Sequence, residues 1–473
     1  MTVFATKWLH GAIALGLSCA GCNPLVYQKI IEDAPVHTFK LRGAGGVTGH
    51  GPLGLVYPPL DDKVGYLLMA GGGQASLAWL KLNRGAEPVP TFASSEQLEA
   101  LVAPIPYPTT MRITGLARVP SPLTTEDSPH AIMAVRNDTR PELAQIVRFQ
   151  ASEFERVDLT LQDRPDAPDA IVAPHITGRP ASNFGRQLAA INLDADQNDP
   201  DYEVMVGSDD GVLVYANLAR DHAVYEDARE LILAAEPDAF SGSNEPEGYG
   251  FTLCSNTTEW NAFIAGKLLA DDVPVFVIAG SSGLSFVGIP ATLFNNRVGA
   301  PIYDCALQTI PLPTGASLSF GAALLVSDLN GDAHDDLVVG DPDANVAFVF
   351  HGGAAGLAST PTHVLDSDRE GVDEFGAALG RADLSGDIGS VLVVGAPGTN
   401  LGARTQAGAA YVYPLDGTEL LASLEDLHPD RNARYGTWVG GVFRSEQDEL
   451  VVMGKVEGRV YERIGETDPA AGD

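Results

Sequence analysis

The chain has 473 residues, 45% hydrophobic and 7% aromatic, with 51 glycines and 32 prolines. That is enough apolar surface for a packed core, and too turn-rich for a helical bundle or a disordered chain. Its formal charge is −33, which argues against nucleic acid, a polyanion that such a surface repels, while suiting divalent cations, basic partners and solubility; the general acidity of an exported protein rich in turn aspartates is the plainer account of the same balance.

The N-terminus reads MTVFATKWLHGAIALGLSCAGC. One lysine precedes an apolar run of about ten residues, half of the roughly 20 that a spanning helix needs, and small residues follow. This is the pattern of an export signal, and residues 1–21 are read as a signal peptide. Ser18-Cys19-Ala20-Gly21-Cys22 resembles a bacterial lipobox, with Cys19 where leucine is usual. That resemblance implies lipidation of Cys22, a tether over residues 22–34, and an address at the bacterial cell envelope. Asn23 is not the Asp that retains some lipoproteins at the inner membrane, so the outer membrane is expected. An ordinary cleaved signal ending near Gly21 is the alternative. No later hydrophobic segment is long enough to span a bilayer, so contact with a membrane would be through the lipid alone.

After the tether, Val36-His37-Thr38-Phe39-Lys40-Leu41 alternates like a strand. It is expected to complete a sheet near Val460–Tyr461, the last strand-like stretch. Gly49-His50-Gly51-Pro52-Leu53-Gly54 matches GxGxxG formally, but no strand-then-helix context surrounds it, and it reads as a turn. From here one unit recurs: an apolar run, a polar turn, a second apolar run, a glycine. The copies at 184, 320 and 375 are plain and open on Phe-Gly; Tyr249–Gly250 and Tyr435–Gly436 take that slot at 249–280 and 435–454, and residues 49–71 and 113–135 fit loosely. The second runs end near 71, 135, 207, 280, 340, 395 and 454. Two short strands around a tight polar loop make a hairpin, runs that are apolar throughout suit strands buried on both faces, and a unit that repeats along a chain means an array. The array is expected to occupy residues 35–465, leaving 466–473 as a flexible tail.

Three copies carry acidic loops. The strongest is Asp328-x-Asn330-Gly-Asp332-x-x-x-Asp336, with oxygens at positions 1, 3, 5 and 9 and the His334 carbonyl at position 7. Alternate side chains around a glycine-permitted turn are how an EF-hand start wraps Ca²⁺ with roughly 6–8 oxygens. Carboxylates this close repel one another without a cation; a solvated acidic turn is the alternative. A second loop offers Asn192, Asp194, Asp196 and, after an insertion, Glu203. A third keeps Asp383, Ser385 and Asp387 but has Val391 where position 9 should be acidic, and is read as a degenerate site.

Beyond the signal only Cys254 and Cys305 remain. An exported chain with two cysteines invites a disulfide, and both lie in or just after the 249–280 unit, so a local bridge is feasible; two separate thiols is the alternative. There is no GxSxG, GxxxxGK[ST] or HExxH, and the ten histidines are scattered.

Phe375–Gly376 followed by Gly395-Ala396-Pro397 spells the FG-GAP signature. The chain thereby resembles the FG-GAP repeat proteins of the integrin α-subunit β-propeller family, most strongly over residues 184–414. The resemblance implies an all-β, seven-bladed β-propeller whose calcium loops are structural and whose partners are held by loops on one face. The reading that follows is a non-enzymatic, calcium-binding propeller lipoprotein that holds a protein or glycan partner. The alternative is a propeller lyase or hydrolase acting on an envelope or extracellular polysaccharide, with a site assembled in the central funnel from several blades.

Overall fold

The computed structural model describes residues 36–40, the strands at 53–57, 66–70, 77–81 and 91–92, and residues 111–461 with interruptions. Residues 1–35 and 462–473, and therefore the signal, Cys22, the tether and the tail, lie outside the described residues, as do Asp194, Asp196, Ser385 and Asp387.

Among the described residues there are six four-stranded sheets, one five-stranded sheet and one two-stranded ribbon. Six of the seven larger sheets are built from consecutive strands, over 53–92, 111–172, 188–254, 260–311, 323–366 and 378–425. The seventh takes Trp438–Arg444, Gln447–Met453 and Glu457–Tyr461 from the end of the chain. Its fourth strand is Val36–Lys40, antiparallel to Glu457–Tyr461 with Val36 opposite Tyr461 and Lys40 opposite Glu457. The first strands of the sheets adjoin one another in turn: Leu53–Tyr57, Met111–Arg118, Leu188–Ile191, Trp260–Lys267, Ala323–Ser327, Ala378–Leu384, Trp438–Arg444, and back to Leu53–Tyr57. Sheets succeeding one another around a closed set of inner strands are the architecture of a β-propeller, which leaves only short edges open.

The second strands explain why their sequences are apolar throughout. Each sheet lies between two neighbours, so both faces of its second strand are buried. Side chains alternate across a strand with period two, and the cores follow that alternation. Val204 and Val206 face the core shared with the second sheet, while Met205 faces the fourth. Phe276 and Ile278 point back to the third sheet; Val275, Val277 and Ala279 point on to the fifth. Leu337 and Val339 join the core toward the fourth sheet and Val338 the core toward the sixth. In the sixth sheet Leu392 and Val394 face the fifth, and Val391 and Val393 face the seventh. The apolar runs that end near 71, 135, 207, 280, 340, 395 and 454 are each the second strand of a sheet.

The Phe-Gly pair is the hinge between sheets. Phe184, Phe320 and Phe375 are each buried in the core shared with the preceding sheet, and Tyr435 takes the same place between the sixth and seventh. The glycine that follows reaches across its own sheet: Gly185 N–H donates to the Gly207 carbonyl (3.0 Å), Gly321 to Gly340 (2.9 Å) and Gly376 to Gly395 (3.1 Å). Gly376 sits at φ +90°, where a Cβ is strained. A Cβ on Gly340 would stand 1.9 Å from the Gly376 carbonyl oxygen. The two glycines of the signature are therefore where backbones touch, within a sheet and between sheets.

The aromatic-glycine pair at 249–250 does not open the unit read at 249–280. Phe251–Cys254, which follows Tyr249–Gly250, does not open the fourth sheet; it pairs with Gly211–Tyr215 as the outer strand of the third. The fourth sheet starts at Trp260–Lys267, and the Trp260 ring fills the aromatic position, packed so close that a Cβ on Gly207 would lie 2.2 Å from it. An inserted segment between Tyr215 and Phe251 shifts the phase of the repeat, and spacing alone placed the boundary too early. Likewise Leu53–Gly54 lies in the strand Leu53–Tyr57, which pairs with Tyr66–Ala70.

Phe39, 2% exposed in the ring-closing strand, packs in the core shared by the seventh and first sheets. Phe39→Ala should cost about 3–5 kcal/mol of unfolding free energy, read by denaturant titration; a loss under about 1 kcal/mol would mean that this strand does not close the ring.

Candidate metal centre

The loop at 328–335 joins Ala323–Ser327 to Asp336–Asp341, and the ladder between them closes at Ser327 opposite Asp336. Its side chains hold its own backbone. Asp328 accepts from the N–H groups of Gly331 (2.7 Å) and Ala333 (3.0 Å). The Asn330 side-chain oxygen accepts from Asp332 N–H (2.9 Å), and Asn330 Nδ2 donates to Asp332 Oδ2 (3.1 Å). Asp332 Oδ1 accepts from His334 N–H (2.9 Å). Gly331 and Ala333 are left-handed, at φ 78° and 69°, so the chain curls around the side of the loop that carries the acids. Asn330 and Asp332 are exposed and Asp328 is half-buried.

Asp336 differs from the others. It is fully buried, 0% exposed, with Oδ2 accepting from Leu329 N–H (2.7 Å) and Oδ1 from Gly352 N–H (2.6 Å). Burial pushes its carboxyl above the ordinary range, against those two amide bonds. The Asp332 carboxyl is held below its ordinary value chiefly by the His334 amide. The His334 imidazole, 2.9 Å from Asp272 Oδ1, is raised chiefly by that contact.

Among the described residues no group of three or more His, Cys, Asp or Glu side chains lies close enough together to hold a metal ion. The donor chemistry of the 328–336 loop nonetheless suits a hard cation: three carboxylates, one amide oxygen and one backbone carbonyl, all oxygen and no sulfur. Each carboxylate oxygen that accepts one N–H keeps a lone pair for a second partner. A fully buried carboxylate answered only by two amides is the kind of charge that a nearby cation relieves.

The second loop repeats the key bond. Glu203, 4% exposed, stands where Asp336 does: its Oε2 accepts from Leu193 N–H at 2.8 Å, as Asp336 does from Leu329, and its Oε1 accepts from the Tyr303 hydroxyl at 3.3 Å. Asn192 lies beside it at the end of Leu188–Ile191. The third loop is built otherwise. Its strands stay paired past the point where the fifth sheet opens, with Asp383 opposite Ser390 and Leu384 opposite Gly389. Asp383 accepts from the Ser390 hydroxyl (3.0 Å), and Val391 is fully buried between the sixth and seventh sheets. Asp383 is thus a strand residue rather than a loop ligand.

Cys254 and Cys305 form a disulfide with Cα atoms 5.6 Å apart. The bridge is not local to one unit: Cys254 is on the outer strand of the third sheet and Cys305 on the outer strand of the fourth, Asp304–Pro311. Of the scattered histidines, His351 meets His363 edge-to-face at 5.4 Å between ring centroids. Ser281 donates to Glu259 (2.6 Å) in a turn. Sequence reasoning passed over Asp335, Asp272 and Gly352. Asp335 Oδ2 accepts from Lys267 N–H (2.9 Å), and a Cβ on Gly352 would lie 2.1 Å from the Asp335 carbonyl oxygen. The doubled Asp335-Asp336 was the one visible signal.

Asp336→Ala strips the acceptor from two buried amides. It should cost about 2–4 kcal/mol even in chelator, measured by denaturant unfolding in EGTA; no loss there would mean that those amides find other partners.

No protein-family model matches the chain. Human integrin alpha-7 is 38% identical over 163 residues, 33% of this chain and 13% of that protein. Integrin alpha-PS5 of Drosophila melanogaster is 37% identical over 115 residues, 22% of this chain and 11% of its own. Phosphatidylinositol-glycan-specific phospholipase D of Mus musculus is 33% identical over 133 residues, 25% of this chain and 15% of its own. The chain thus spans only 11% to 15% of the length of these relatives. With the Phe-Gly hinges and the all-β architecture, these partial likenesses support an integrin α-like FG-GAP repeat protein.

Proposed function

We propose that this chain is a seven-bladed, calcium-binding propeller that holds a protein or glycan partner without catalysing a reaction. The observation that carries the calcium part is the 328–336 loop, an all-oxygen donor set closed by the buried Asp336 carboxylate. Asp328, Asn330, Asp332, Asp336 and the His334 carbonyl would hold the ion. When bound, Ca²⁺ supplies a divalent charge that accepts roughly 6–8 oxygens; the loop's own part is to wrap and to hold the hairpin end in register. The Asn192–Glu203 loop is a weaker second site on the same logic.

A partner would meet loops at the end of the sheets that carries the Phe-Gly turns. Leu318 projects there, 77% exposed, while Asn261 fixes its backbone by donating to the Leu318 and Phe320 carbonyls at 2.7 and 2.9 Å. A large apolar side chain on a fixed backbone suits a binding contact. The signal pattern and Cys22 support an address on a bacterial envelope, with a lipid anchor at the outer membrane. A second reading, a propeller hydrolase or lyase acting on polysaccharide, draws on the relative that bears an enzyme's name. Products released from polysaccharide by the purified chain, and lost on heat inactivation, would favour it.

Thermal unfolding with Ca²⁺ and with EGTA tests the calcium reading. A ligand that binds only the folded state stabilises it by about 2.7 kcal/mol at 100 times its dissociation constant, so a clear upward shift is expected. Asp332→Ala should abolish that shift and change melting in EGTA much less than it changes melting in Ca²⁺. A wild-type curve indifferent to Ca²⁺ would reduce the acidic loops to plain turns.

The anchor is tested separately. In a bacterial host fed labelled palmitate, the wild-type chain should take up label and Cys22→Ser should not. Unlabelled wild type would leave an ordinary cleaved signal.

A further inference from the structure

The 328–336 loop does not end its sheet freely. Its acids divide by direction: Asp328, Asp332 and Asp336 accept from amides of their own sheet, while Asp335 turns outward to the fourth sheet. Asp335 Oδ2 accepts from the N–H of Lys267 at 2.9 Å, at the end of Trp260–Lys267. One residue earlier, His334 Nδ1 lies 2.9 Å from Asp272 Oδ1. Asp272 ends the short 3-10 turn Ala270–Asp272, in which Asp271 and Asp272 are left-handed at φ 61° and 55°. The other connection of the fifth sheet at the same end, residues 351–362, grips this segment too. Leu357 N–H donates to the Leu268 carbonyl at 3.0 Å, and Leu269 bridges to Gly356. Gly352 in that connection donates to Asp336 (2.6 Å). Residues 267–272 are therefore held by both the acidic loop and the connection that closes over Asp336.

We propose that residues 267–272 are a clasp that preorganises the 328–336 loop for Ca²⁺, with Asp335 and Asp272 as positioning residues rather than ligands. The inference rests on the calcium reading and deepens it. A loop ordered only when an ion arrives charges its lost conformational freedom to binding; a loop already tied at residues 334 and 335 does not. Coupling of this kind is reciprocal: if the clasp favours the ion, the ion favours the clasp, and Ca²⁺ tightens the junction between the fourth and fifth sheets.

Asp335→Ala and Asp335→Asn in the full chain separate the hydrogen bond from the charge, since the Asn amide oxygen still accepts from Lys267 N–H. Calorimetric titration with CaCl₂ should find affinity about tenfold weaker for Asp335→Ala and within about threefold of wild type for Asp335→Asn, within the range of ordinary site-to-site coupling. His334→Ala, which keeps the backbone carbonyl, should weaken affinity in the same direction. In the wild type, amide hydrogen exchange in peptides covering 260–272 should slow when Ca²⁺ is added, an effect that needs no variant to fold. Asp335→Asn falling as far as Asp335→Ala would make the effect one of charge and overturn the clasp. Wild type that binds Ca²⁺ with no change in exchange at 260–272 would also overturn it. Wild type that binds no Ca²⁺ would instead remove the calcium reading itself.

Discussion

The structure depends on backbones approaching more closely than any side chain allows. The Gly376 carbonyl lies where a Cβ on Gly340 would be, and the Gly436 carbonyl stands in the same relation to Gly395, at 1.9 and 2.0 Å. Each Phe-Gly glycine also donates to the end of its own second strand. The signature is thus one contact written twice: Gly-Ala-Pro ends a strand, and Phe-Gly of the next unit docks on that end. Alanine at either place would push neighbouring sheets apart at their point of closest approach.

Everything else is organised by that docking. Once successive sheets are held face to face, the middle of each second strand is buried on both sides and is apolar at successive positions, as Val204–Val206 and Leu337–Val339 are. The cores lie between sheets rather than within one fold layer, so no sheet is stable without its neighbours. Val36–Lys40 on Glu457–Tyr461 gives the final sheet its outer strand from the opposite end of the chain. The disulfide acts at the periphery, tying the outer strands of the third and fourth sheets.

Because the Phe-Gly end bears the packing constraint, the opposite end of each hairpin is free to vary in length and chemistry. In the sixth sheet the ladder runs on through Asp383 and Leu384, so Asp383 is an ordinary strand residue. In the fifth it stops at Ser327, and the loop is long enough to curl around its acids. The third has an inserted loop but keeps the buried acid, Glu203, on the equivalent amide. One framework thus carries three outcomes at the same structural position.

The sequence alone determined the all-β repeat, the position of every second strand and the acidic loop at 328–336, because period, apolar runs and ligand spacing are local patterns. It also carried the alternation of Val36–Leu41. It placed the aromatic-glycine hinge of the fourth unit too early, at Tyr249–Gly250, and only the pairing of Phe251–Cys254 with Gly211–Tyr215 assigns the strand that follows that pair to the third sheet. It took Asp383 for a loop residue, since register is a property of two strands rather than one. Tertiary structure decided that Cys254 and Cys305 join different sheets, and that Asp335 faces Lys267 while its neighbour Asp336 is buried among amides of its own sheet. Adjacent residues on a strand or tight loop point in opposite directions, and what stands on each side is set by elements distant in the chain.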